Sequence, residues 1–245
     1  MARYSTYLVA DAENRRDYRD RQLFANQQGA DVYVEFHFNA NAYDKPGTSD
    51  NPASALVCDN ASQKSRDMAA DFAKRVAYAW GFPNRGVVEL KRYSDGTADR
   101  AYWNLYYTNM KAFLLEPLFV SDIQQAEIAM SEDGQRKIAK ILANVIREHY
   151  PSGATVACSL GHKFKASSVY DRGAPVKIDI DDDPDDPKPI YHPTIAEADL
   201  AEKVMHFFIQ DLEGRDVQPD EEVFLEGEWA MSATNGGILL RKTHG

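Results

Sequence analysis

Cysteine is scarce in this 245-residue sequence, where it occurs only at positions 58 and 158. Both residues lie in apolar, strand-like runs, ALVC and VACSL. They lack the spacing of a structural zinc site and read as buried, reduced thiols. Basic charge is also in deficit: 28 Lys and Arg stand against 38 Asp and Glu, a formal net charge of −10. Neutralising phosphates requires the opposite balance, so nucleic acid is not the expected partner. The same deficit argues against broad attraction to an anionic membrane or wall polymer, which would have to be held by local contacts. No run approaches the roughly 20 apolar residues of a membrane span, so no membrane insertion is expected. The opening MARYSTYLVADAENRRDYRD has no long apolar core and does not read as a signal peptide. Internal repeats are absent.

What is present suits a single large core, since 44% of the residues are hydrophobic. Short apolar or alternating runs predict strands over residues 5–10, 31–38, 53–58, 86–90, 111–115 and 155–160. Helical spacing predicts helices over 14–28, from Ser62 to a stop at Gly81 and Pro83, over 122–150 with a break near Ser131, and over 194–212. Residues 43–51 read as a loop. So does the acidic stretch 179–188, DIDDDPDDPK, whose spacing is not that of a calcium loop. The tail runs EEVFLEGEW and GGILLRKT, separated by SATN, predict a hairpin. Strands alternating with helices, several strands being wholly apolar, indicate an α/β fold with a central, mostly parallel sheet and helices on both faces.

Four ionisable residues stand where such a sheet presents side chains to a pocket. His37 ends DVYVEFHF, His162 ends VACSLGH after a Gly expected to let the chain turn, and Glu116 closes KAFLLEP. In open α/β sheets, ligands bind beyond the C-terminal ends of the strands. Glu197 lies in the first turn of a predicted helix. Two histidines and a carboxylate suffice for a catalytic zinc with one open position. A second, desolvated carboxylate has the raised pKa suited to a general base. Taken singly, these residues have blander readings: a strand-end His is more often structural, and a Glu at a helix start more often simply complements the helix dipole.

The surrounding residues narrow the choice. RQLFANQQGADVYVEFHFNAN contains Arg21, Ala25, Asn26, Ala30, Asp31, His37 and Asn39. This pattern resembles the central signature of the type 3 N-acetylmuramoyl-L-alanine amidases, which are zinc enzymes of peptidoglycan. Asn84-Arg85-Gly86-Val87 and KAFLLEPLFVSD resemble two further motifs of that family, the second ending a strand in the catalytic Glu. The segment that opens such enzymes, a strand ending in Gly-His and a helix opening with a ligating Glu, has its counterpart near the other end. There Gly161, His162, Gly173-Ala174 and Glu197 match, while Lys163 and Phe164 replace two expected glycines.

The resemblance therefore implies a circularly permuted amidase domain over residues 1–216, with 217–245 as a hairpin appendage or a completing strand. It implies one zinc per chain on His37, His162 and Glu197, with His192 as a rival ligand. Glu116 is implied as the base, with Arg85 and Asn41 as substrate contacts. The implied activity is cleavage between N-acetylmuramic acid and L-alanine of the stem peptide. The alternatives are a zinc peptidase acting within the stem peptide and a non-catalytic wall-binding module. A monomer made in the cytoplasm, acting on the wall after release as a phage endolysin does, completes the expectation.

Overall fold

In the computed structural model, residues 3–9, 18–41, 51–162, 173–178, 190–214, 229–234 and 237–242 are described. The chain opens with strand β1 (Arg3–Val9) and helix α1 (Tyr18–Gln27), then β2 (Val32–Phe36) and β3 (Ala53–Cys58). Helix α2 (Gln63–Trp80) leads to β4 (Asn84–Leu90), a 3-10 turn (Tyr102–Asn104) and β5 (Lys111–Glu116). Helices α3 (Ile123–Met130) and α4 (Glu132–His149) precede β6 (Gly153–Leu160) and the short strands β7 (Pro175–Ile178) and β8 (Ile190–Ala196). Helix α5 (Glu197–Glu213) and strands β9 (Trp229–Thr234) and β10 (Gly237–Lys242) follow.

Six strands form the main sheet in the order β1-β6-β2-β5-β3-β4. All neighbours run parallel except β5 and β3. Alternation along β2 divides its side chains between two packed layers. Val32, Val34 and Phe36 join the larger core, with Met68 and Phe72 of α2, Ile138 and Leu142 of α4 and Phe208 of α5. Tyr33 faces the other layer, with Ala25 of α1 and Tyr102 and Leu105 around the 3-10 turn. Helices thus cover both faces, as the apolar strands require.

Local signals explain the helix boundaries. The Ser62 hydroxyl accepts the Ser65 amide and caps α2, which ends at Gly81 in the left-handed conformation. Ser131 serves two helices. Its amide donates to Glu127, ending α3, and its hydroxyl accepts the Gly134 amide, starting α4. This is the break expected there.

The position of β6 decides how the site is built. It lies between β1 and β2, although β2 precedes it by more than a hundred residues. The join is tight: the Gly153 amide bonds back to the Tyr150 carbonyl, which also accepts the Tyr4 hydroxyl. Phe36 of β2 pairs with Leu115 of β5 on one side and Leu160 of β6 on the other. The next residue on each strand is therefore His37, Glu116 and Gly161.

Some expected elements lie outside the described residues and others differ in detail. The first part of the 14–28 helix, the 43–51 loop apart from Asn51, the 179–188 loop and most of EEVFLEGEW lie outside the described residues. The tail does form an antiparallel hairpin, but SATN is not simply its loop, because Ser232–Thr234 belong to β9. Residues 194–196 extend β8 rather than opening α5, and the β7–β8 pair was not anticipated. Both cysteines are buried free thiols, as expected. Among the described residues, no helix is long and apolar enough to cross a membrane.

Candidate metal centre

The site is assembled at the C-terminal edge of β2, β5 and β6. His37 follows β2, and its amide donates to Leu115, so the residue stays in line with the sheet. His162 follows β6, and its ring stands 5.0 Å from that of His37 in an edge-on arrangement. Glu197 is the first residue of α5 and is 4% exposed. Its Oε1 lies 2.9 Å from His37 Nδ1, and its Oε2 lies 3.6 Å from His162 Nε2. Oε1 also accepts the Phe38 amide and Oε2 the Ala174 amide, both at 3.2 Å. Helix start, strand end and loop thus fix one carboxylate between two imidazoles.

These donors suit zinc. One ligand atom from each of His37, His162 and Glu197 falls within 4.8 Å of the others. Donors about 2.0–2.1 Å from a tetrahedral zinc stand about 3.3 Å apart, so small shifts of these side chains suffice. The space is kept clear by glycine. A Cβ on Gly161 would lie 2.1 Å from His37 Cε1, and one on Gly173 would lie 2.7 Å from Glu197 Oε2. Gly173 also has φ +92°, a conformation that side chains disfavour. The chain turns directly after β6, at Gly161 and His162, where a turn was expected. The left-handed residue there is His162, with φ 54°.

Charge in the cluster is strongly coupled. Burial lowers the pKa of His37, but the hydrogen bonds it donates to Glu197 and Glu35 more than reverse this and raise it to about 10. Burial pushes Glu197 up, yet the hydrogen bond and charge of His37, together with the charge of His162, leave it below its ordinary value. His162 is lowered, chiefly by burial. Without a metal, His37 is thus an imidazolium clamped between two carboxylates. A metal at Nδ1 replaces one of its protons.

Glu116 ends β5 beside this cluster. Burial raises its pKa, and the Glu197 charge adds to the effect against the opposing charge of His37. Its Oε2 accepts the Asn39 amide group at 2.8 Å and the Ser54 hydroxyl at 3.5 Å. Among the described residues, Oε1 has no such donor, leaving it as the oxygen able to take a proton.

The structure thus brings together His37, His162, Glu197 and Glu116. Arg85 is exposed at the start of β4, on the same sheet edge but two strands from Glu116. Asn41 is tied into the scaffold: its amide group donates to Asn51 and its backbone amide to Ser121. The His192 side chain lies outside the described residues. Three contributors were missed in the sequence. Glu35 bonds His37 Nε2 at 3.0 Å, Asn104 bonds Glu35, and exposed Arg100 lies near enough for its charge to lower the pKa of both Glu116 and His162. Only Glu35 left a signal, as an acidic residue inside an otherwise apolar strand, two positions before a histidine.

Residues 2–148 match the family model described as N-acetylmuramoyl-L-alanine amidase. The chain belongs to that family. The matched segment holds His37 and Glu116 and stops before His162 and Glu197. Similar solved structures include the N-acetylmuramoyl-L-alanine amidase from Clostridium difficile 630, at 22% identity over 55% of this chain and 66% of that one, with a TM-score of 0.45. The catalytic domain of CwlV, an N-acetylmuramoyl-L-alanine amidase from Bacillus (Paenibacillus) polymyxa var. colistinus, is 22% identical over 60% and 72%, with a TM-score of 0.44. The catalytic domain of the CD27L endolysin, which targets Clostridia difficile, is 18% identical over 56% and 65%, with a TM-score of 0.40. The match thus spans about two thirds of the length of these amidase structures. No curated protein matches the sequence.

Proposed function

We propose that this amidase family member hydrolyses the amide between the lactyl group of N-acetylmuramic acid and the L-alanine of the stem peptide. In this reading His37, His162 and Glu197 hold one zinc ion and Glu116 is the general base. One observation carries it: three metal-ligating atoms from opposite halves of the chain lie within 4.8 Å of one another, next to a desolvated carboxylate. A zinc bound there supplies a Lewis acid that polarises the scissile carbonyl and makes water more acidic.

The chain's own groups do the rest. Glu116 Oε1 takes a proton from the attacking water, while Asn39 holds Oε2 and so fixes the direction of the other oxygen. The same carboxyl then returns the proton to the departing alanine nitrogen, which could not otherwise leave as an amine. Arg100 and Arg85 are the cations we assign to substrate contact on this edge. Asn41 is assigned to the same contact through its Oδ1, which has no donor among the described residues.

We also propose that the order His37, Glu116, His162, Glu197 reflects a circular permutation. The short Tyr150–Gly153 join and the seating of β6 between β1 and β2 support it. Residues 1–216 form the catalytic domain on this reading, with the tail hairpin as an appendage. One chain is the working unit, since it supplies all three ligands. The cell wall is the site of action, and release during phage lysis is part of the same proposal.

Digestion of purified peptidoglycan followed by mass spectrometry tests the reaction. Free stem peptides beginning with L-alanine, together with intact lactyl-bearing glycans, are expected. Fragments cut within the stem peptide would make the chain a peptidase instead.

A further inference from the structure

We propose that Glu35 is a positioning residue for the metal centre, fixing the His37 ring so that Nδ1 is the atom offered to zinc. This rests on the metal-site reading above. Tyr33, Glu35 and His37 alternate along β2 and its extension, so their side chains share one face. Glu35 is 0% exposed within a strand that is buried at every position. A carboxylate there is strongly disfavoured by desolvation unless it is paired and bonded, and an apolar residue would serve packing better. The structure surrounds it with donors. Oε1 accepts from His37 Nε2 at 3.0 Å and Asn104 Nδ2 at 2.5 Å, and Oε2 accepts the Tyr33 hydroxyl at 3.0 Å.

The consequence for the metal follows from imidazole chemistry. A neutral imidazole has one N–H and one lone pair. With the N–H held at Nε2 by Glu35, the lone pair is at Nδ1, the atom 2.9 Å from Oε1 of Glu197. Asn104, on the 3-10 turn, and Tyr33 hold the carboxylate from two directions, so the ring plane is fixed from the scaffold. Carboxylates that orient metal-bound histidines in this way commonly contribute about 10- to 100-fold to metal affinity.

The test uses the full chain with zinc or cobalt as probe. Glu35→Gln keeps the shape and an acceptor oxygen but removes the charge. Its zinc affinity, measured by chelator competition, should fall about 10- to 100-fold. The visible spectrum of its cobalt form should shift, and kcat should fall with KM little changed. Should Glu35→Gln not fold, Asn104→Ala decides, with at least a threefold loss of zinc affinity expected. Unchanged affinity and cobalt spectrum in the folded variant overturn the proposal while leaving the metal site intact. A wild-type chain that takes up neither ion overturns both.

Discussion

Gly161→Ala is a sharp perturbation of the site because the structure fixes its size. The added Cβ would sit 2.1, 2.3 and 2.4 Å from Cε1, Nδ1 and Nε2 of His37. Favourable carbon contacts begin near about 3.5 Å, so the ring must move by more than about 1 Å. It cannot do so freely, since both nitrogens are held at 2.9 and 3.0 Å by Glu197 and Glu35. Overpacking costs about 1–3 kcal/mol, and each charge-assisted bond lost costs about 1.5–3 kcal/mol. The metal-free variant should therefore lose about 3–5 kcal/mol of stability. A ligand displaced that far should weaken zinc binding at least about 100-fold, near 2.8 kcal/mol. Gly81→Ala is the matched control: φ is +72°, nothing lies within 4 Å of its Cβ, and only the left-handed strain of about 1–2 kcal/mol applies. Urea melts and zinc competition titrations on both variants read these effects. If Gly161→Ala bound zinc like wild type, or lost no more stability than Gly81→Ala, the packing argument would be refuted.

Further outcomes follow from the same geometry. Glu116→Gln should retain zinc and fold but lose about 10²- to 10⁴-fold in amidase rate, since an amide cannot accept the proton; near-normal turnover in a glycan-release assay would remove Glu116 from its role. In metal-free protein the His37 pKa is raised from 6.5 to about 10, so its stabilising contribution is complete below pH 6.5 and is lost as pH rises through 10. Thermal melts of chelator-treated protein should accordingly show a falling Tm over that window, with a weaker fall when zinc is bound; a flat metal-free profile contradicts the clamped imidazolium. Ser131→Ala removes the α4 cap and should cost about 1 kcal/mol in urea denaturation, with zinc affinity unchanged.

Much of this architecture was legible in the sequence because its strands are either wholly apolar or sharply bounded. The 53–58 strand was read at its observed limits, and Ser62, Gly81 and Ser131 marked helix ends through capping chemistry that acts locally. The β7–β8 pair escaped because Pro175 and Pro193 weaken any strand signal, and its pairing is set by tertiary packing. At the site, His37, Glu116, His162 and Glu197 were visible as strand or helix termini. Their convergence depended on β6 entering between β1 and β2, which no local pattern encodes. Glu35 is one acidic residue in an otherwise apolar run, and its partner Asn104 lies 69 residues away, so no local pattern marks it as bonded. Asn104 and Arg100 sit on an irregular segment whose path is set by the layer it covers. The left-handed His162 shows the same limit, since the Gly before it marks a turn but not which residue takes the left-handed conformation.

The central claim is that one chain, from its two halves, builds one zinc site. Zinc quantification on purified wild type and on His37→Ala, His162→Ala, Glu197→Ala and His192→Ala tests it most directly. The account predicts one zinc per chain in wild type and in His192→Ala, and loss of the metal in the other three. Zinc retained in Glu197→Ala but lost in His192→Ala, or one zinc shared between two chains, would contradict it.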